Sequence, residues 1–174
     1  MNPTQDEDSK KQMLGINKIL KIPDQKRILI VDDEPFNILG MQITLKQLKI
    51  RGLSQFVDRA FNGLEALKKV KQGLETGSHI YGLILTDISM PVMDGFEETE
   101  GIRNFYRTHN APQPMIVACT GHVEDDYIKR AWACEIDEVI PKPISVERLS
   151  QVFKAILWAV DPRAHTLSCF HLLL

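Results

Sequence analysis

Apolar strand-like runs alternating with helix-periodic segments predict an α/β fold built on a doubly wound parallel sheet. Two observations carry this. First, the runs Arg27-Ile28-Leu29-Ile30-Val31 and Tyr81-Gly82-Leu83-Ile84-Leu85-Thr86 are almost wholly apolar, as strands buried on both faces are. Second, the runs close on chemistry-bearing side chains. Asp32-Asp33-Glu34 follows the first and Asp87 the second; Thr120 closes Met115-Ile116-Val117-Ala118-Cys119, and Lys142-Pro143 follows Glu138-Val139-Ile140-Pro141. Open α/β sheets bind ligands at the carboxyl ends of their strands, so these residues are expected to share one site.

The remaining elements follow in order. Helix one is expected from Pro35, with Ile38, Met41, Leu45 and Leu48 on one face. Strand two is expected over Gln55 to Ala60, and helix two carries Leu64, Leu67, Val70 and Leu74. Helix three begins after Asp94, whose carboxylate can cap it, with Glu97 three residues on as in a capping box. Glu97, Glu98 and Glu100 suit the positive end of that helix's dipole, and Gly101 is a weak spot inside it. Helix four is expected from roughly Glu124 to Ala133. Helix five starts at Ser145, with Val146, Leu149, Val152, Phe153, Ile156 and Leu157 as its core stripe. Pro162 cannot continue it.

The chain has 174 residues, enough for one domain with a core and short extensions. Residues 1–26 read as a polar leader or linker, 27–159 as the domain and 160–174 as a tail. In the leader, Met13, Ile16 and Leu20 form a short apolar stripe ended by Pro23; it reads either as a marginal helix or as the end of a linker. A net charge of −2 leaves no electrostatic footprint for nucleic acid or an anionic membrane. No stretch approaches transmembrane length, and Met1 to Lys11 is unlike a signal peptide. The three cysteines, Cys119, Cys134 and Cys169, show no CxxC spacing, which suits reduced thiols and a cytoplasmic location. His165, Cys169 and His171 match no common zinc spacing.

Carboxylates at Asp32, Asp33 and Asp87 repel one another if brought together, so they take up protons or bind a cation. Hard oxygens with open positions suit Mg²⁺. The ordered set Val31-Asp32-Asp33-Glu34-Pro35, Thr86-Asp87-Ile88-Ser89-Met90-Pro91-Val92-Met93-Asp94-Gly95, Thr120-Gly121 and Pro141-Lys142-Pro143-Ile144 resembles the receiver domain of response regulators. With Asn37 and Asn62-Gly63-Leu64-Glu65-Ala66-Leu67, it looks most like receivers attached to hybrid histidine kinases.

The resemblance implies a flavodoxin-like five-stranded parallel sheet of order 2-1-3-4-5. It implies that Asp87 takes a phosphoryl group from phosphohistidine. Asp33, Asp87 and the backbone carbonyl of Ser89 would ligate Mg²⁺, with Asp32 acting largely through water. Thr120 and Lys142 would contact phosphoryl oxygens, and the Lys142-Pro143 peptide would be cis. Ser89 and His122 would flank the path of attacking water. Implied partners are a histidine kinase or a histidine phosphotransfer protein. Receivers dimerise through helix four, strand five and helix five, and the sequence leaves that choice open here.

One position departs from the family. Receivers commonly carry Tyr or Phe three residues before the lysine, and here that residue is Val139. With no ring to bury, phosphorylation is expected to reshape the loops after Thr120 and around Pro91 to Gly95 more than the strand-five face. About fifteen residues follow helix five, too few for an output domain of the usual size.

Two other classes compete with a regulatory phospho-acceptor. A pseudo-receiver would bind a partner without phosphorylation, but all five site residues are retained. A haloacid-dehalogenase-type phosphatase needs Asp-x-Asp, yet Ser89 stands two after Asp87 and Pro35 two after Asp33.

Overall fold

A computed structural model describes residues 26–50, 52–121 and 124–160, with side chains to residue 155. The leader stripe, His122, the side chains of Ile156 and Leu157, Pro162 and the His165/Cys169/His171 set lie outside the described residues.

The order is β1 (Lys26–Val31), α1 (Pro35–Gln47), a 3₁₀ turn (Leu53–Phe56), β2 (Val57–Ala60), α2 (Gly63–Thr76), β3 (Ile80–Thr86), α3 (Gly95–Thr108), β4 (Met115–Thr120), α4 (Asp125–Ala133), β5 (Glu138–Pro141) and α5 (Val146–Val160). All strand pairs are parallel, in the order β2-β1-β3-β4-β5. The expected doubly wound sheet and strand order are therefore present. Leu29, Ile30 and Val31 on β1 and Ile84 and Leu85 on β3 have no exposed surface. Each contributes roughly 1.5–3 kcal/mol of burial and holds the strand ends rigid beneath the acids.

The sheet separates two apolar layers. Phe96, Ile102 and Tyr106 of α3 pack on one face with Ala66 and Val70 of α2. Ile38, Met41 and Leu45 of α1 pack on the other with Leu149, Val152 and Phe153 of α5. α1 is apolar on its outer side as well: Phe36, Leu39 and Ile43 are exposed.

Four details differ from the sequence reading. β2 begins at Val57, because Gln55 and Phe56 belong to the 3₁₀ turn. The buried stripe of α2 is Gly63, Ala66, Val70 and Gly73 rather than the leucines, and Leu64 is exposed. Small residues face inward where neighbours approach closely: a Cβ on Gly63 would stand 2.9 Å from Glu98 Cβ and one on Gly73 2.8 Å from His79 O, and on α3 a Cβ on Gly101 would stand 3.1 Å from Leu67 Cδ2. Gly101 therefore serves helix approach and is not merely a weak spot. α5 begins at Val146, and the Ser145 hydroxyl accepts from Arg148 N–H at 3.2 Å, as a cap does. Finally, Glu98 lies in the first turn of α3 as expected but is fully buried.

Candidate functional site

Strand pairing runs one residue past the strand ends and so registers the site. Asp87 N–H donates to Val31 O at 2.8 Å, Asp32 N–H to Ala60 O at 3.2 Å, and Lys142 N–H to Thr120 O at 2.9 Å. Asp32 and Asp87 become neighbours above β1 and β3, with Thr120 and Lys142 above β4 and β5. Carboxylate oxygens of Asp32, Asp33 and Asp87 lie within 4.8 Å of one another. The three acids and Lys142, predicted to converge, do so, and Thr120 stands beside Lys142 at the end of the neighbouring strand. Ser89 is exposed in the turn just beyond Asp87.

The acids differ in what holds them. Asp32 has no exposed surface. Its Oδ1 accepts from Glu34 N–H at 2.9 Å and the Asn37 amide at 3.0 Å, and its Oδ2 faces Lys142 Nζ at 2.6 Å. Asp32 is thus tied to the start of α1 through the Glu34 N–H and the Asn37 side chain. Asp87 Oδ1 accepts from Ile88 N–H at 2.7 Å, and its Oδ2 lies 2.9 Å from Lys142 Nζ. Asp33 is half-buried and makes no hydrogen bond or ion pair among the described residues. Burial would lower the Lys142 pKa, but the bonds to Asp32 and Asp87 outweigh it and hold the ammonium above its ordinary range.

The Lys142-Pro143 peptide is cis. The loop after Asp87 folds back tightly: Gly95 N–H donates to Ile88 O at 2.9 Å, and a Cβ on Gly95 would stand 2.3 Å from Asp87 O. Only glycine fits there. Asp94 accepts from Phe96 and Glu97 N–H at 2.9 and 2.8 Å, completing the expected capping box.

Sequence reasoning named Asn37 and Glu98 but gave neither a place at the site. Asn37 orients Asp32, as described above. Glu98 lies behind the site, where Thr86 Oγ1 bonds to both Asp87 O (3.0 Å) and Glu98 Oε2 (2.7 Å). Its Oε1 is buried without a partner. Burial pushes the Glu98 carboxyl up to about 8, against the Thr86 hydrogen bond. A signal existed: Gly95, Glu98, Ile102 and Tyr106 recur at helical spacing and are all buried.

A response regulator receiver domain model matches residues 28–154. The chain belongs to the response regulator receiver family. Similar proteins include the sensor histidine kinase GacS of Pseudomonas protegens, 33% identical over 127 residues, covering 72% of this chain and 12% of that protein. Two-component system protein A of Emericella nidulans is 35% identical over 136 residues, covering 78% of this chain and 18% of that protein. This receiver therefore spans less than a fifth of these relatives' lengths. Among solved structures, the receiver domain of the histidine kinase CKI1 from Arabidopsis thaliana, complexed with Mg²⁺, is 28% identical with a TM-score of 0.63, covering 75% of this chain and 91% of that one. A two-component response regulator from Clostridium difficile is 28% identical with a TM-score of 0.60, covering 79% and 99%. Among the described residues, no helix is long and apolar enough to cross a membrane.

Proposed function

We propose that this receiver accepts a phosphoryl group from a phosphohistidine onto Asp87, with Mg²⁺, and so switches its interactions in a cytoplasmic two-component phosphorelay. The observation that carries the reading is the convergence of Asp32, Asp33 and Asp87 around one lysine. Three hard carboxylates against a single ammonium leave a negative surplus that suits a small divalent cation, and the CKI1 receiver is a Mg²⁺ complex. Asp33, Asp87 and the Ser89 carbonyl would hold the ion directly, and Asp32 through water.

In the transfer, the donor's N–P bond breaks and an O–P bond forms to an Asp87 carboxylate oxygen. The donor imidazole keeps the bonding electrons and takes up a proton. The bond from Ile88 N–H leaves Asp87 Oδ2 as the oxygen nearer the pocket's cation, Lys142. Lys142 meets the incoming charge on the phosphoryl oxygens, and Thr120 offers its hydroxyl from β4. Bound Mg²⁺ supplies the rest of the neutralisation that phosphoryl transfer requires.

The partner would be a histidine kinase or a phosphotransfer protein. The exposed Phe36, Leu39 and Ile43 of α1 give it an apolar surface beside the pocket. A pseudo-receiver is separated by beryllofluoride, a phosphoryl mimic. In NMR spectra, the amides near Asp87, Thr120 and Lys142 should shift with beryllofluoride and Mg²⁺ together and not with beryllofluoride alone. No shift with both would support the pseudo-receiver.

A further inference from the structure

Thr86, the last residue of β3, has one hydroxyl proton to share between two oxygens. Its Oγ1 lies 3.0 Å from Asp87 O and 2.7 Å from Glu98 Oε2. A carbonyl oxygen only accepts, so the contact with Asp87 O uses the Thr86 proton. The contact with Glu98 then takes its proton from the carboxyl group, with Oε2–H donating to Thr86 Oγ1. The surroundings of Glu98 favour that proton. The side chain has no exposed surface, and its Oε1 is buried without a partner. Gly63 and Met93 close round it: a Cβ on Gly63 would stand 2.9 Å from both Glu98 Cβ and Met93 Cγ. The charged side chains next in sequence to these contacts are held by other groups. Glu65 accepts from Phe61 N–H, Asp94 from Phe96 and Glu97 N–H, and Asp87 faces Lys142.

The bond from Thr86 to Asp87 O fixes the peptide between Asp87 and Ile88. The N–H of that same peptide donates to Asp87 Oδ1 at 2.7 Å. One relay therefore runs from the Glu98 carboxyl through the Thr86 hydroxyl and a single peptide plane to the carboxylate of Asp87. An ionised Glu98 only accepts. The Thr86 hydroxyl would then turn to it, because a charged acceptor takes the stronger bond, and Asp87 O would lose this donor.

We propose that Glu98 is a positioning residue for phosphoryl transfer: as a neutral acid it sets the Thr86 hydroxyl on the Asp87 carbonyl and so holds the Asp87 carboxylate with Oδ2 toward the pocket. This rests on the reading of Asp87 as phospho-acceptor. Buried behind the strand end, Glu98 acts through Thr86 and takes no part in the chemistry itself.

The test follows labelling of Asp87 by phosphoramidate and Mg²⁺ in the full chain, from about pH 6 to about pH 9.5. Wild type is read as a ratio to Glu98→Gln, which cancels the pH dependence of the donor and of Lys142. The glutamine amide donates to Thr86 at every pH. The two chains should label alike at the acid end, and the ratio should fall roughly fivefold at the alkaline end, as loss of one hydrogen bond allows. The fall should vanish when both chains carry Thr86→Val, which removes the relay, and return with Thr86→Ser, which keeps it. The Ile88 amide resonance reads the relay without any transfer. In wild type it should move with a midpoint of about 8, where burial puts the Glu98 carboxyl, and it should stay still over that range in Glu98→Gln.

A flat ratio would overturn the proposal. So would a fall that persists with Thr86→Val, which would make the effect one of charge or packing. If Thr86→Val does not fold, the Ile88 amide decides, and an amide that moves alike in wild type and Glu98→Gln overturns the relay. If phosphoramidate labels wild type at no pH, the acceptor reading fails instead, while the Ile88 amide still reports the relay.

Discussion

At the amino end of the sheet charge is paired one to one, whereas at the carboxyl end three carboxylates stand against one lysine, which pairs with two of them. Arg27 reaches both oxygens of Asp58, at 2.5 and 2.7 Å, and Tyr81 OH donates to Asp58 at 2.9 Å. That cluster is complete and joins β1, β2 and β3. At the other end Lys142 is shared between Asp32 and Asp87, Asp33 is unpaired, and Glu98 sits buried behind them. A balanced cluster contributes to stability. An unbalanced one, on equally rigid strands, gives up stability, and under the proposed function it does so to hold a site ready for a cation and a phosphoryl group.

The comparison can be broken in several ways, taken from the largest effect to the smallest. Lys142→Ala strands a buried carboxylate pair and should cost about 3–5 kcal/mol in metal-free denaturant unfolding, with Mg²⁺ restoring part of the loss. An unchanged midpoint would mean the acids do not need the lysine.

Glu98 comes next. Its carboxyl lies above the ordinary 4.5, at about 8, because of burial. The folded state therefore favours the proton, so this contribution is complete below the unfolded value and is lost as pH rises through the folded one. Wild type should lose on the order of 3 kcal/mol relative to Glu98→Gln between pH 5 and 8. Parallel stability profiles would mean Glu98 does not titrate in that window.

Asp58→Asn should cost about 1–2 kcal/mol and leave Asp87 labelling by acetyl phosphate unchanged. Altered labelling would show that the two ends are coupled.

The smallest stability effect is expected from Asp33→Asn. Removing an unpaired charge should raise metal-free stability by about 0.5 kcal/mol while removing most Mg²⁺ affinity. Asp32→Asn should instead lower stability, because Asp32 is bonded to Glu34 N–H, Asn37 and Lys142, and it should affect Mg²⁺ less. Equal metal losses in titration calorimetry would overturn that ranking.

Much of this was legible in the sequence, for identifiable reasons. Buried parallel strands are apolar runs, so β1, β3 and β4 stood out, and Asp94 with Glu97 announced the start of α3. Strand ends carrying acids, a hydroxyl and an amine could be assembled because the fold puts those ends together. Other features were less visible. Leu64 attracted the reading of α2 because hydrophobicity was weighed without the closeness of its neighbours, and the approach of Glu98 selects Gly63 while that of His79 selects Gly73. Glu98 was read by its charge as an acid serving the helix dipole, although its spacing from Ile102 and Tyr106 put it on the core stripe. Backbone strain at Val92 left no trace in composition, since valine is an improbable choice for a left-handed turn.

The most direct test of the central claim is to map the phosphoryl group after treating the full chain with phosphoramidate and Mg²⁺. Peptide mass spectrometry should find label on Asp87 alone, with none in Asp87→Asn and none when Mg²⁺ is chelated. Label on another residue, or label that persists in Asp87→Asn, would contradict the account.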